Sequence, residues 1–278
     1  MDHHEKLAWS SQHLHALDVE IKDFIQKHPL TARCEQEGDS RRFRVIANEY
    51  PSLPRHWTLM MGDAIHNMRG ALDHLIWALI DKAVAGGGKA PNEREALKVG
   101  YPVSLSSGAY FGDGAQKGNG ARKRMAGSIG DDALAIVDRT QPHHRAVEAN
   151  DHPLAVLSSY SNEDKHRNLM VSVALADSIR FRFTHERMGA QFRFGPFTFT
   201  QPESQWFYSN TDFGVIEMSE ETTCAPGEMR VEPILTGTIA FRQKGPSPPI
   251  AVASLEEVLA AIHRDIVAPL DDILMRGI

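Results

Sequence analysis

The sequence predicts an α+β fold: a helical bundle of four to five helices with a small antiparallel β-sheet inserted before the C-terminal helix. Three observations predict it. Apolar residues recur at helical spacing from the start, at Leu7, Leu14, Leu17, Ile21, Phe24 and Ile25. The texture then switches to a period of two in IRFRFTHERMGAQFRFGPFTF, Ile179 to Phe199. Helical spacing returns over residues 254 to 275, where Ser254 and Glu257 stand three apart in the manner of a capping box.

Taken in order, the first helix runs about six turns until Pro29 stops it. Residues 41 to 50 alternate weakly ahead of Pro51 and Pro54, which predicts a short strand or extended arm. A second helix follows over roughly 55 to 84 and ends at Gly86, Gly87 and Gly88. From about 86 to 122 the chain is rich in Gly, Ser and Pro and reads as loop. Helical signals return over 129 to 139 and 151 to 176, with Pro153 well placed at a helix start. The Ile179 to Phe199 stretch predicts a hairpin around a glycine-containing turn, with further strands near 213 to 218 and 228 to 243. The expected organisation is a helical bundle over 1–176, an antiparallel β insertion over 177–250, and a C-terminal helix over 251–278 that returns to the bundle.

Composition narrows the function classes. The chain has 278 residues, 42% of them hydrophobic, enough for one large core or two moderate ones. A net charge of -6 gives no basic field over the whole molecule, so DNA is not expected and any RNA site has to be local. Cys34 and Cys224 match neither a disulfide framework nor a zinc spacing, which predicts a reducing, cytoplasmic setting. No run approaches the roughly 18 apolar residues of a membrane span, so no membrane partner is expected. Neither a dinucleotide-binding G-x-G-x-x-G nor a phosphate-binding G-x-x-x-x-G-K-[ST] loop is present, and no cofactor is expected from either.

The chemistry concentrates on the second helix. Turning each residue by about 100° places Met61, Ala64, Ile65, Met68, Leu72, Leu75, Ile76 and Leu79 on one face. The opposite face carries Asp63, His66, Asn67, Gly70, Asp73, His74 and Trp77, with no Lys or Glu. Short polar residues and glycine are poor helix formers and need another reason to be there. One reason is a site; the other is a buried polar network joining this helix to its neighbours. A second cluster, SNEDKHRNLM, packs Asn162, Glu163, Asp164, Lys165, His166 and Arg167 between apolar flanks. Its cations are natural partners for the Asp-bearing face, and one cleft is expected to hold both. The pairs His143–His144 and His3–His4 read as loop and tail, and Trp206–Phe207–Tyr208 as sheet packing.

GDAIHNMRGALDH together with NEDKHR resembles a family of bacterial proteins of actinobacterial type, with the patterns GD-x-x-HN-x-R-x-ALDH and N-x-DKHR. That resemblance implies a helical protein and no particular activity. Arg69 to His74 also resembles, more loosely, the R-x4-H motif of the HEPN superfamily of helical nucleases and nucleotide-binding modules. This second resemblance implies a homodimer that cleaves RNA without metal, in a toxin or phage-defence setting. His74 would then move protons and Arg69 would stabilise phosphate charge, with Asp73 and His166 assisting and Asn67, Asn162, Lys165 and Arg167 binding substrate. Comparable Arg/His spacings occur at Arg139/His144, Arg145/His152 and Arg180/His185.

Two further readings stay open. Asp63-x-x-His66 and Glu163-x-x-His166 each place a carboxylate and an imidazole one helical turn apart, the pattern of a dinuclear iron or manganese oxidoreductase bundle, with Glu20 and Asp265 or Asp271 completing the set. The other is a non-enzymatic interaction module whose polar faces only make structure.

Overall fold

The computed structural model describes residues 2–38, 40–112, 120–125, 127–145, 148–164, 170–185, 196–200, 206–207, 210, 212–222, 229–242 and 249–276. Its architecture is mixed α+β, and the chain divides into two units. One comprises Met1–Asp18, His56–Leu169 and Gln243–Ile278; the other comprises Val19–Arg55 and Met170–Arg242.

The first unit is helical. It holds the first part of helix α1 (Asp2–Lys27), then α2 (His56–Ala85), the short α3 (Glu93–Ala96) and α4 (Ser107–Phe111), α5 (Asp131–Arg139), α6 (Pro153–Asp164), α7 (Val252–Ile262) and α8 (Ala268–Met275). The apolar stripe expected on α2 is buried along its length, from Trp57 and Met61 through Ile65, Met68, Leu72 and Leu75 to Ile80. Helix α2 packs against α6 and α8, α6 against α7, and α5 against α8. Ser10 fixes α1 to α2 at a fully buried point, its hydroxyl lying 3.0 Å from both Lys6 O and Ala64 O. At the far end of α2, Lys82 Nζ donates to Ile273 O (3.0 Å), Leu274 O (2.8 Å) and Arg276 O, gathering carbonyls at the C-terminal end of α8, of which Ile273 O also accepts the Arg276 N–H.

Helices α7 and α8 are joined by a π turn at His263–Val267, in which Ala268 N–H bonds His263 O. Pro269 supplies a physical reason, because it lacks an N–H and its ring would crowd the carbonyl of Asp265 in a regular helix. The expected capping box is not used: α7 begins at Val252, two residues before Ser254, with no side-chain cap. No described helix is long and apolar enough to cross a membrane.

The second unit corrects the expectation of one small sheet, since it contains two. Strands β1 (Ala32–Gln36), β2 (Arg42–Ala47), β4 (Phe197–Thr200) and β6 (Asp212–Met218) form an antiparallel sheet in the order β1-β2-β6-β4. A second sheet centres on β3 (Met170–His185), flanked by β5 (Trp206–Phe207) and β7 (Met229–Arg242). The period-two stretch therefore does not close on itself as a hairpin, for β3 pairs with β7 and β4 with β6. The two strands meet through their rings instead: Phe181 lies 5.1 Å from Phe199, and Phe183 lies 5.1 Å from Phe197. At Gly214 any Cβ would come within 2.5 Å of the Phe199 ring, which reserves that position for glycine.

The helix expected to reach residue 176 stops at Asp164, and β3 starts at Met170. Val171 pairs across to Phe241 and Val173 to Ile239, so non-local strand pairing prevails over a helix-like spacing of small residues.

Candidate functional site

The polar face of α2 is divided between two neighbours. Arg69 and Asp73, one turn apart, hold an irregular strap formed by residues 97 to 104. Asp73 Oδ1 accepts the Tyr101 N–H at 2.8 Å and the Arg69 guanidinium at 3.1 Å, while Arg69 Nη2 donates to Tyr101 O at 2.6 Å. The backbone comes so near here that a Cβ on Gly100 would sit 2.8 Å from Asp73 Oδ1. The other side of the strap is fastened to the end of α5. Tyr101 OH lies 2.6 Å from Thr140 Oγ1, Gln141 Nε2 donates to Pro102 O at 3.1 Å, and Ser104 N–H donates to Gln141 Oε1 at 3.2 Å. Burial holds the Tyr101 phenol well above its usual range. Between strap, α2 and α6 lies a cavity of about 330 Å³ whose lining includes Arg69, Asp73, Ser158, Ser161 and Asn162.

His74 has a different neighbour. Its Nδ1 is 3.7 Å from Asp2 at the start of α1, and on the preceding turn the Lys6 side chain packs 3.4 Å from where a Gly70 Cβ would stand. The five steps from Arg69 to His74 turn a helix through about 500°, leaving these side chains some 140° apart. Asn67 folds back onto its own helix, Nδ2 donating to Asp63 O at 2.9 Å, and Asp63 and His66 are exposed. Thus Arg69, Asp73 and Asn162 share a cavity, and His74 faces α1. Lys165, His166 and Arg167 lie outside the described residues, as does the side chain of Glu163, so the expected juxtaposition extends only as far as Asn162.

A second constellation was not singled out in the sequence. Arg139 ends α5, His144 lies in the 3-10 turn Pro142–His144, Arg145 follows it, His152 precedes α6, and Arg264 and Asp265 project from the π turn. Together with Thr140, Gln141 and Pro269 they line an open cavity of about 420 Å³. A smaller recess of about 60 Å³ shares Arg145, His152, Arg264 and Asp265 and adds Leu154, Ile262 and Ile266. Three arginines face one carboxylate here, in a chain whose net charge is -6. Arg264 grips that carboxylate through two hydrogen bonds of 2.8 Å, which holds the Asp265 carboxyl below its usual range.

The two histidines differ in their hydrogen bonds. His152 Nδ1 accepts the Leu154 N–H at 3.2 Å, so its proton resides on Nε2, and burial, reinforced by Arg145, lowers its pKa. His144 Nε2 lies 2.9 Å from Asp138 O, an obligate acceptor, which makes Nε2 the donor and leaves Nδ1 with a lone pair when the ring is neutral. One ring thus offers an N–H and the other a lone pair. The signal that could have found this site was the pair of Arg/His spacings at Arg139/His144 and Arg145/His152, coupled to Pro269.

Among the described residues, one group of three potential metal ligands brings its donor atoms within 4.8 Å of one another: His3, His4 and Asp271. Comparison with models of known protein families, with curated proteins and with solved structures finds no match.

Proposed function

We propose that this chain is a HEPN-like, metal-independent endoribonuclease whose helical unit works as a bundle, and that its phosphodiester chemistry belongs to the Arg139–His144–Arg145–His152–Arg264 pocket. The observation that carries this reading is a local surplus of arginine beside two histidines of opposite hydrogen-bonding character, in an otherwise acidic chain. Arginine binds phosphate through a planar fork of donors. His144 would take the proton of the ribose 2′-hydroxyl as that oxygen attacks phosphorus, the departing 5′-oxygen would take its proton from water, and the His152 Nε2–H would donate a hydrogen bond to a phosphate oxygen. The pair Arg139/His144 has the same R-x4-H spacing as Arg69/His74, while Arg69 is committed to Tyr101 and Asp73. The reading carries with it a cytoplasmic homodimer, as the HEPN resemblance implies.

The test is cleavage of a structured RNA in EDTA by wild type, His144→Ala, His152→Ala, His74→Ala and Arg69→Lys. Either pocket histidine variant is expected to lose about 10²- to 10⁴-fold in rate, with His74→Ala and Arg69→Lys close to wild type. Loss at His74 and not at His144 or His152 would move the chemistry to the Arg69/His74 side of α2. A wild type that binds RNA without cutting it would reduce the reading to a binding module.

A further inference from the structure

We propose that His3, His4 and Asp271 form a mononuclear site for a zinc-class divalent metal ion, which clamps the first turn of α1 to α8. His3 Nε2 lies 2.9 Å from Asp271 Oδ1 and His4 Nε2 lies 3.0 Å from Oδ2, so each carboxylate oxygen faces its own imidazole. The two rings are tilted against each other with centroids 4.3 Å apart, which turns adjacent helical residues towards one point. Zinc bound to nitrogen and oxygen at about 2.0–2.2 Å in a tetrahedron separates its ligand atoms by roughly 3.3 Å. The two nitrogen–oxygen spacings need to open only by a few tenths of an ångström, and all the donor atoms already lie within 4.8 Å of one another. Two imidazoles and one carboxylate form a borderline-soft donor set that suits zinc and its neighbours better than magnesium or calcium, and the fourth position is left for water.

Burial assists. His3 is 1% exposed and Asp271 17%, whereas His4, at 47%, opens the group to solvent and gives an ion its entry. The ligands come from the two ends of the described chain, so the ion would close the helical unit on itself. This clamp is independent of the RNA reading, and either can fail alone.

The test uses full-length chain without an affinity tag, stripped with EDTA and dialysed, then titrated with Zn²⁺ against a chromophoric chelator and melted with and without the ion. Because the chain has 14 histidines, variants are needed to locate the binding. The expected result is one zinc per chain and a higher melting temperature with zinc. His4→Ala and Asp271→Asn should each weaken binding at least about tenfold and abolish that rise. His4→Ala removes a half-exposed side chain and should melt like the metal-free wild type, which keeps the test decisive if Asp271→Asn fails to fold. Absence of saturable one-to-one binding, or undiminished binding by His4→Ala, overturns the proposal.

Discussion

Gly100 and Asp73 show how closely a single position can be specified. The Asp73 carboxylate holds both the strap backbone and Arg69, and it does so where Gly100 has no side chain to keep it away. Gly100→Ala should therefore destabilise the protein by about 1–3 kcal/mol through overpacking. In an Asp73→Ala background the same change should cost clearly less, because the atoms it meets are gone. Urea denaturation of the four proteins of this double-mutant cycle measures the difference, and equal costs in both backgrounds would show that the close approach is not the reason. Little of this was legible in the sequence. Gly100 sits in a stretch whose composition reads as irregular loop, and the bond that gives it meaning joins residues 28 apart. What could be read was that Asp73 and its neighbours are too short and too polar for an ordinary solvated helix face.

Elements with a strong local period were legible almost to their ends. Helix α2 was expected over roughly 55 to 84 and spans His56–Ala85, and the strands expected near 213–218 and 228–243 are Asp212–Met218 and Met229–Arg242. Failures came where partners distant in sequence decide the outcome. β1 gives a weak signal of its own and owes its place to β2, and Met170 begins a strand because β7 is there to pair with it. Helix ends belong to the same class, since Lys82 serves α8 from 191 to 194 residues away. Lys82→Met keeps much of the side-chain bulk and removes the donors. It should cost about 1 kcal/mol, read by urea denaturation, together with faster amide exchange in the last turn of α8. Unchanged stability and exchange would mean that water satisfies those carbonyls equally well.

For the molecule as a whole, three histidines point to one pH response. Burial lowers the pKa of His3, His143 and His152 below the ordinary 6.5. The unfolded chain then binds protons that the folded chain resists, so stability is complete above about pH 6.5 and declines as pH falls through the folded values. The lowered Asp265 carboxyl acts in the same direction only further down, below about pH 4. The melting temperature in EDTA should thus drop between about pH 7.5 and pH 5.5, and His152→Gln should flatten that drop. A melting temperature that is level or rises over this interval would contradict the assignment.

The division of the chain also bears on how the protein is made. The β-rich unit is written in two segments, Val19–Arg55 and Met170–Arg242, so all its strands exist once residue 242 has been translated. The helical unit draws on Gln243–Ile278 as well, and α2 is synthesised well before α6 and α8 arrive to pack against it. A nascent chain therefore carries an apolar stripe from Trp57 to Ile80 that meets α6 only after residue 153 and α8 only after residue 268. A product that stops between α2 and α6 leaves much of that stripe uncovered, and one that stops between α6 and α8 leaves part of it so, open to aggregation.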